Sequence, residues 1–304
     1  MPAAYAPIAL FVYNRLDHLV QTIDALRANE LAQESELYVF SDGPRHPTDE
    51  PKVSKVRQYL KNISGFKRIE IIEAPGNQGL ADSIIGGASR LVNEFGRVIV
   101  LEDDVITSPR FLRFMNDALN FYENEPRVMH ISGYVFPFEE TSPTETFLMT
   151  PTTCWGWATW KRSWQHFNRD ANALIAEFSP QMIREFDING ATPYFFQLTE
   201  NQKGNMKTWA IFWYATVFLD KGLSLHPTHS LCQNIGHDGT GENCSENTIY
   251  EVALSNKPIT RFETNITESI LYRSKFETFL RNSKPTLLQR IQNKIKKLSA
   301  RALA

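Results

Sequence analysis

The stretch Val98-Ile99-Val100-Leu101-Glu102-Asp103-Asp104-Val105 runs four apolar, mostly β-branched residues straight into three carboxylates. An unbroken apolar run predicts a strand buried on both faces, as in a parallel sheet. Three adjacent acids repel one another unless a cation sits among them. Hard oxygen ligands at a strand end suit Mg2+ or Mn2+ carrying a phosphorylated ligand. The alternative is a solvated acidic loop ahead of the next helix, since Ser108-Pro109 has the composition of a helix start.

The elements that must position these acids are legible upstream. Pro7 to Tyr13 predicts a first buried strand ending at Asn14-Arg15. Leu16, Leu19, Val20, Ile23 and Leu26 then follow at helical spacing. Leu37 to Phe40 predicts a second strand, ending in Ser41-Asp42-Gly43, and Ile69 to Ile72 a third, followed by Pro75-Gly76-Asn77-Gln78-Gly79. Leu80 to Phe95 carries one apolar helical face, and Gly96 is placed to end it. A helix from Pro109 to about Glu123 and a fifth strand from Val128 to Ser132 complete the pattern. Strand and helix alternate over the first 135 residues, which predicts a doubly wound, mostly parallel α/β sheet. Parallel strands joined by right-handed crossovers present their carboxyl ends on one rim, where such sheets bind ligands. Asn14-Arg15, Ser41-Asp42, Asn77-Gln78 and Glu102-Asp103-Asp104 would therefore converge. No G-x-G-x-x-G follows the first strand and no G-x-x-x-x-G-K-[ST] occurs, which disfavours dinucleotide dehydrogenases and P-loop NTPases.

Composition narrows the classes further. The 304 residues carry a formal net charge of -2, so no overall basic field argues for nucleic acid. The three cysteines, Cys154, Cys232 and Cys244, lack CxxC spacing, and so sparse a set suits a reducing compartment. The first residues lack the basic start and apolar run of a signal peptide, and no apolar run reaches membrane-spanning length. The expectation is a cytoplasmic protein.

These motifs together resemble GT-A-fold nucleotide-sugar glycosyltransferases, specifically bacterial family-2-like enzymes related to N-acetylglucosaminyltransferase I. The matching strings are Phe11-Val12-Tyr13-Asn14-Arg15, Ser41-Asp42-Gly43, Asn77-Gln78-Gly79-Leu80-Ala81 and Val100-Leu101-Glu102-Asp103-Asp104. Further on they are Cys154-Trp155-Gly156-Trp157-Ala158-Thr159-Trp160 and Asn234-Ile235-Gly236-His237-Asp238-Gly239. The resemblance implies that Asn14, Arg15 and Asp42 meet the nucleotide, Arg15 and Asp42 at a uracil base. It implies Asn77 beside the nucleotide or diphosphate, Asp103 near the ribose and Glu102 near sugar hydroxyls. Asp104 would hold Mn2+ or Mg2+, with His237 approaching the metal or diphosphate. Such enzymes invert the anomeric centre, a carboxylate taking the acceptor proton. The implied partners are a nucleoside-diphosphate sugar, UDP-linked, and a glycan or lipid-linked acceptor in surface polysaccharide synthesis.

The second half is aromatic. Trp155, Gly156 and Trp157 are candidates for an acceptor or sugar platform, the glycine letting backbone approach a ligand. Trp160 and Trp164, four apart, read as helix core. Thr199 to Thr208 is a polar, glycine-containing loop, either a lid over the donor or ordinary surface. The chain departs from the family at Trp209-Ala210, where related enzymes have Trp-Asp with the aspartate as base. Either the base lies elsewhere, with Glu200 and Asp238 as candidates, or the alignment slips, or the protein is altered here. A nucleotidyltransferase and a non-catalytic sugar-nucleotide binder therefore stay open as alternatives. The expected organisation is a nucleotide-sugar half (1–135), an acceptor half of the same domain (136–245), a wrapping segment (246–283) and a basic amphipathic helix (284–304). That helix would lie on a membrane surface or dock on protein.

Overall fold

The structure is a computed structural model that describes residues 5–138, 144–239 and 248–283. Cys244 and the segment 284–304 lie outside the described residues. The first half alternates as its periodicity dictates: β1 (Ile8–Val12), α1 (Leu16–Arg27), β2 (Glu36–Ser41), α2 (Glu50–Leu60), β3 (Arg68–Glu73), α3 (Leu80–Phe95) and β4 (Arg97–Glu102). Next come the short β5 (Val105–Thr107), α4 (Phe111–Phe121) and β6 (Val128–Ser132). The second half adds β7 (Thr146–Met149), β8 (Trp157–Trp160), α5 (Lys161–Trp164), α6 (Ala171–Glu177), α7 (Pro180–Phe186), α8 (Tyr194–Gln202), α9 (Ala210–Leu219), β9 (Leu223–Pro227), β10 (Cys232–Asn234) and α10 (Ile270–Asn282).

One eight-stranded sheet runs β3-β2-β1-β4-β8-β6-β9-β7. The four strands from β3 to β4 are mutually parallel. Their side chains alternate between two cores, as a sheet covered on both faces requires. Ile8, Leu10 and Val12 pack with α1, α2 and α4, whereas Ala9 and Phe11 pack with α3. Beyond β4 the sheet departs from the sequence expectation. The fifth strand, β6, does not neighbour β4. The later β8 enters between them, antiparallel to both. The predicted layer is thus a mixed α/β sheet, parallel where it carries the four polar strand ends.

Two other expectations are corrected. Thr199 to Gln202 belongs to α8, so the lid-like loop shortens to residues 203–209. Trp160 ends a strand instead of opening a helical stripe, although it and Trp164 are both buried as expected. The segment 248–283 crosses the domain and ends in α10, whose Tyr272 and Phe276 pack under β7 and Val135. Hydrogen bonds from Arg110, Tyr122 and Arg127 to the carbonyls of Asn256, Glu263 and Ile266 hold it down.

Candidate active site

Each of the four polar strand ends belongs to a loop leaving the carboxyl edge of a parallel strand, and the hydrogen bonds sort them into two neighbouring groups. In the first, Arg15 follows β1 and precedes α1, while Asp103 and Asp104 follow β4. A single Arg15 nitrogen, Nη2, lies 2.5 Å from Asp103 Oδ1 and 2.7 Å from Asp104 Oδ2. The Tyr13 N–H donates to Asp103 Oδ2 at 3.4 Å. Expectation put Arg15 at the base; the structure puts it against the acids. Asn14 stands half-buried in the same turn with no side-chain hydrogen bond among the described residues.

In the second group Asp42 accepts four hydrogen bonds. Oδ1 takes the N–H groups of Gly43 and Gln78, both at 2.8 Å. Oδ2 takes the Gly79 N–H at 2.9 Å and Asn77 Nδ2 at 3.0 Å. Asn77 Nδ2 also donates to the Gly43 carbonyl. A carboxylate offers about four lone-pair sites, and all are taken. Asp42 therefore staples the loop after β2 to the start of α3. Gly43 is required here, because a Cβ on it would lie 2.5 Å from the Gly76 backbone.

The acids are short of positive charge. Burial, then its two acidic neighbours, push the Glu102 carboxyl well above the usual carboxylate range. Burial raises Asp103 to about 6, partly offset by Arg15. Among the described residues Arg15 is the one cation paired with this cluster.

The late Asn234-Ile235-Gly236-His237 string grips the same acids from the far side. Asn234 Nδ2 donates to Asp104 Oδ1 at 3.0 Å, and the Ile235 N–H to the Asp104 carbonyl at 2.8 Å. Asn234 Oδ1 accepts the Gly236 N–H, a local turn that Asn side chains favour. A Cβ on Gly236 would overlap Asp104 Oδ2 and stand 2.9 Å from Arg15 Nη1. Sequence reasoning gave Asn234 and Gly236 no role, although Asn-x-Gly is itself a turn signal. The next residue, His237, has an Nε2 that is buried and without a hydrogen-bond partner among the described residues. Its ring meets Trp155 edge-on at 5.3 Å and Tyr250 at 5.3 Å.

His237 lines a cavity of about 500 Å³ together with Thr152, Thr153, Cys154, Trp155, Tyr194, Gln197, Trp209, Ala210, Trp213, Tyr214 and Tyr250. Trp155 is thus at the cavity, but its two neighbours are not. Trp157 is fully buried, packed on His130, Trp164 and Trp209. Gly156 adopts φ +62, where a Cβ would press on Cys232 Sγ and the Phe111 ring, so its backbone approaches core and not ligand. Ala210 does face the cavity, and no carboxylate lines it among the described residues. Neither base candidate reaches it. Glu200 is tied to Lys203 and Asn205, both at 2.8 Å, and Asp238 is exposed and pairs with His18 at 3.1 Å.

The donors suit a divalent cation. They are the hard carboxylate oxygens of Asp103 and Asp104, which share a single guanidinium. No group of three or more potential ligands is already clustered for one among the described residues.

The profile described as Glycosyl transferase family 2 matches residues 8–166, from the start of β1 through α5. No curated protein matches the chain. Among solved structures it is similar to the mannosyltransferase PcManGT from Pyrobaculum calidifontis, in complex with GDP-Man and Mn2+. That structure is 9% identical with a TM-score of 0.36, over 73% of this chain and 72% of that one. It is also similar to S. aureus TarS, 15% identical with a TM-score of 0.32, over 63% of this chain and 33% of that one. The strand-end loops that gather Arg15, Asp42, Asn77 and the acids all fall inside the matched residues, and the chain belongs to glycosyl transferase family 2.

Proposed function

We propose that this glycosyltransferase takes its sugar from a nucleoside-diphosphate donor, UDP-linked, with a divalent cation, and passes it to a neutral hydroxyl of a glycan-type acceptor with inversion. The observation that carries this reading is one continuous arrangement. Asp104 is held by Arg15 on one side and by Asn234 on the other, and the residue string that grips it continues into His237 on the wall of an aromatic cavity. Nucleotide phosphates at the strand ends and a sugar at the cavity are then neighbours.

Asp104, with Asp103 and His237, would hold the cation. Bound there, it offsets the negative charge that develops on the departing nucleoside diphosphate. The chain's own residues do the rest. Asp42, Asn77 and the Gly79 N–H fix the floor on which the nucleotide rests. The half-buried Trp155 and Tyr250 rings on the cavity wall offer apolar surface for a pyranose. With no Lys, Arg or carboxylate on its wall among the described residues, the cavity favours an uncharged acceptor group.

A thermal-shift panel of sugar nucleotides, with and without Mn2+, tests the reading, since ligands that bind the folded state raise its stability. The expected outcome is a shift for a UDP-sugar that needs Mn2+, accompanied by release of UDP on incubation. Failure of every sugar nucleotide to shift the melt or release its diphosphate would sink it.

A further inference from the structure

Arg15 occupies the place where an outside cation would be needed. Its Nη2 bridges Asp103 and Asp104 at 2.5 and 2.7 Å, with those two side chains 6% and 7% exposed. The side chain's hydrogen bonds among the described residues go to these two carboxylates alone. Arg15 stands just ahead of α1, with its side chain 21% exposed.

The charges then constrain what enters. The buried Asp103 and Asp104 carboxylates share one guanidinium, so a diphosphate approaching this edge meets net negative charge and needs a further cation. A divalent ion, however, requires the oxygens that Arg15 covers. Once the ion holds them, the guanidinium is freed beside the incoming diphosphate, whose oxygens match its planar fork.

We propose that Arg15 is a displaceable internal counter-ion. It covers Asp103 and Asp104 while the donor is absent, and passes to the donor's diphosphate when a divalent cation takes the carboxylates. Cation and donor thereby bind interdependently. This rests on the cation-and-donor reading above and adds a role for Arg15 to it.

The test is Mn2+ binding to the full chain, followed by the electron paramagnetic resonance of the free ion, with and without UDP. In the wild-type protein Mn2+ alone binds weakly and UDP tightens it. In Arg15→Gln, Mn2+ alone is expected to bind about tenfold tighter or more, and the tightening by UDP to shrink. Equal Mn2+ affinity in the folded variant and the wild type overturns the proposal. If Arg15→Gln does not fold, Arg15→Lys carries the comparison, because the shorter lysine stem ends short of the position from which Nη2 meets both carboxylates. A severalfold gain in Mn2+ affinity is then expected, and no gain overturns the proposal. Asp104→Asn separates the two readings. Its loss of Mn2+ binding leaves the cation site standing whatever Arg15 does, whereas undiminished binding removes the site and this proposal with it.

Discussion

Single residues divide here into those that meet a ligand and those that hold the ones that do. Asp104→Asn should abolish the Mn2+-dependent part of any sugar-nucleotide thermal shift, while a cation-independent shift persists. An unchanged metal response would move the ion elsewhere. Asp42 behaves differently, because its four acceptor sites are filled from within the chain. An amide in its place turns one acceptor into a donor that faces N–H groups. Asp42→Asn is expected to cost about 2–4 kcal/mol in urea unfolding. It should weaken UDP, GDP and CDP alike; a change in preference among the three would return Asp42 to the base. Loss of a general base costs about 10²–10⁴-fold in rate. Glu200→Gln and Asp238→Asn are each expected to change turnover far less than that, since neither side chain lines the cavity. Part of this was legible beforehand. A carboxylate triplet after an apolar strand announces charge that needs neutralising. Which partner neutralises it is a matter of distances across 88 residues, and spacing carries none of that.

At the scale of elements, strand ends deliver side chains and returning segments lock them. The parallel edge of β1, β2 and β4 follows from apolar runs and intervening amphipathic helices, so the gathering of their polar ends on one rim could be anticipated. The β10 segment could not. Its three residues pair antiparallel with β5, directly after the acids, and carry Asn234 and Gly236 onto Asp104. So short a strand has no periodicity to read. Gly236→Ala tests the clip: the added Cβ must displace Asp104 or Arg15. Mn2+ affinity is expected to fall about tenfold or more, with the melting temperature reduced by a few degrees, as a 1–2 kcal/mol loss would give. Wild-type Mn2+ binding in that variant would show the loop to be a bystander. Between Trp155 and Trp157 the sequence suggested one aromatic platform. Strand β8 begins at Trp157, and once its backbone pairs with β4 and β6, Trp157 turns into the core while Trp155 stays at the cavity.

The whole molecule carries a pH dependence that no local motif announces. His226 is fully buried between the Tyr134 and Pro151 carbonyls, each 3.2 Å from a ring nitrogen. Those carbonyls favour the imidazolium, but burial outweighs them and lowers the group to about 4. Burial and the neighbouring His226 lower His130 as well. Above about pH 6.5 neither the folded nor the unfolded chain protonates these rings, and they add no pH dependence. As the pH falls below that value the unfolded chain takes up protons that the folded chain refuses, so stability declines, for His226 until about pH 4. The loss from His226 alone is about 3 kcal/mol. Urea unfolding between pH 7 and 4.5 should show this decline, with a shallower slope in His226→Asn; equal slopes would rule out His226 as its source. By itself the sequence determined the α/β architecture of the first half, its buried strands and the set of polar strand ends, because periodicity and apolar runs are local properties of the chain. Tertiary structure decided the rest. It placed β8 between β4 and β6, tied up Asp42, set Arg15 on the acids and brought His237 beside Trp155. Each of these is a contact between residues far apart in sequence, fixed only when the cores on both faces of the sheet have closed.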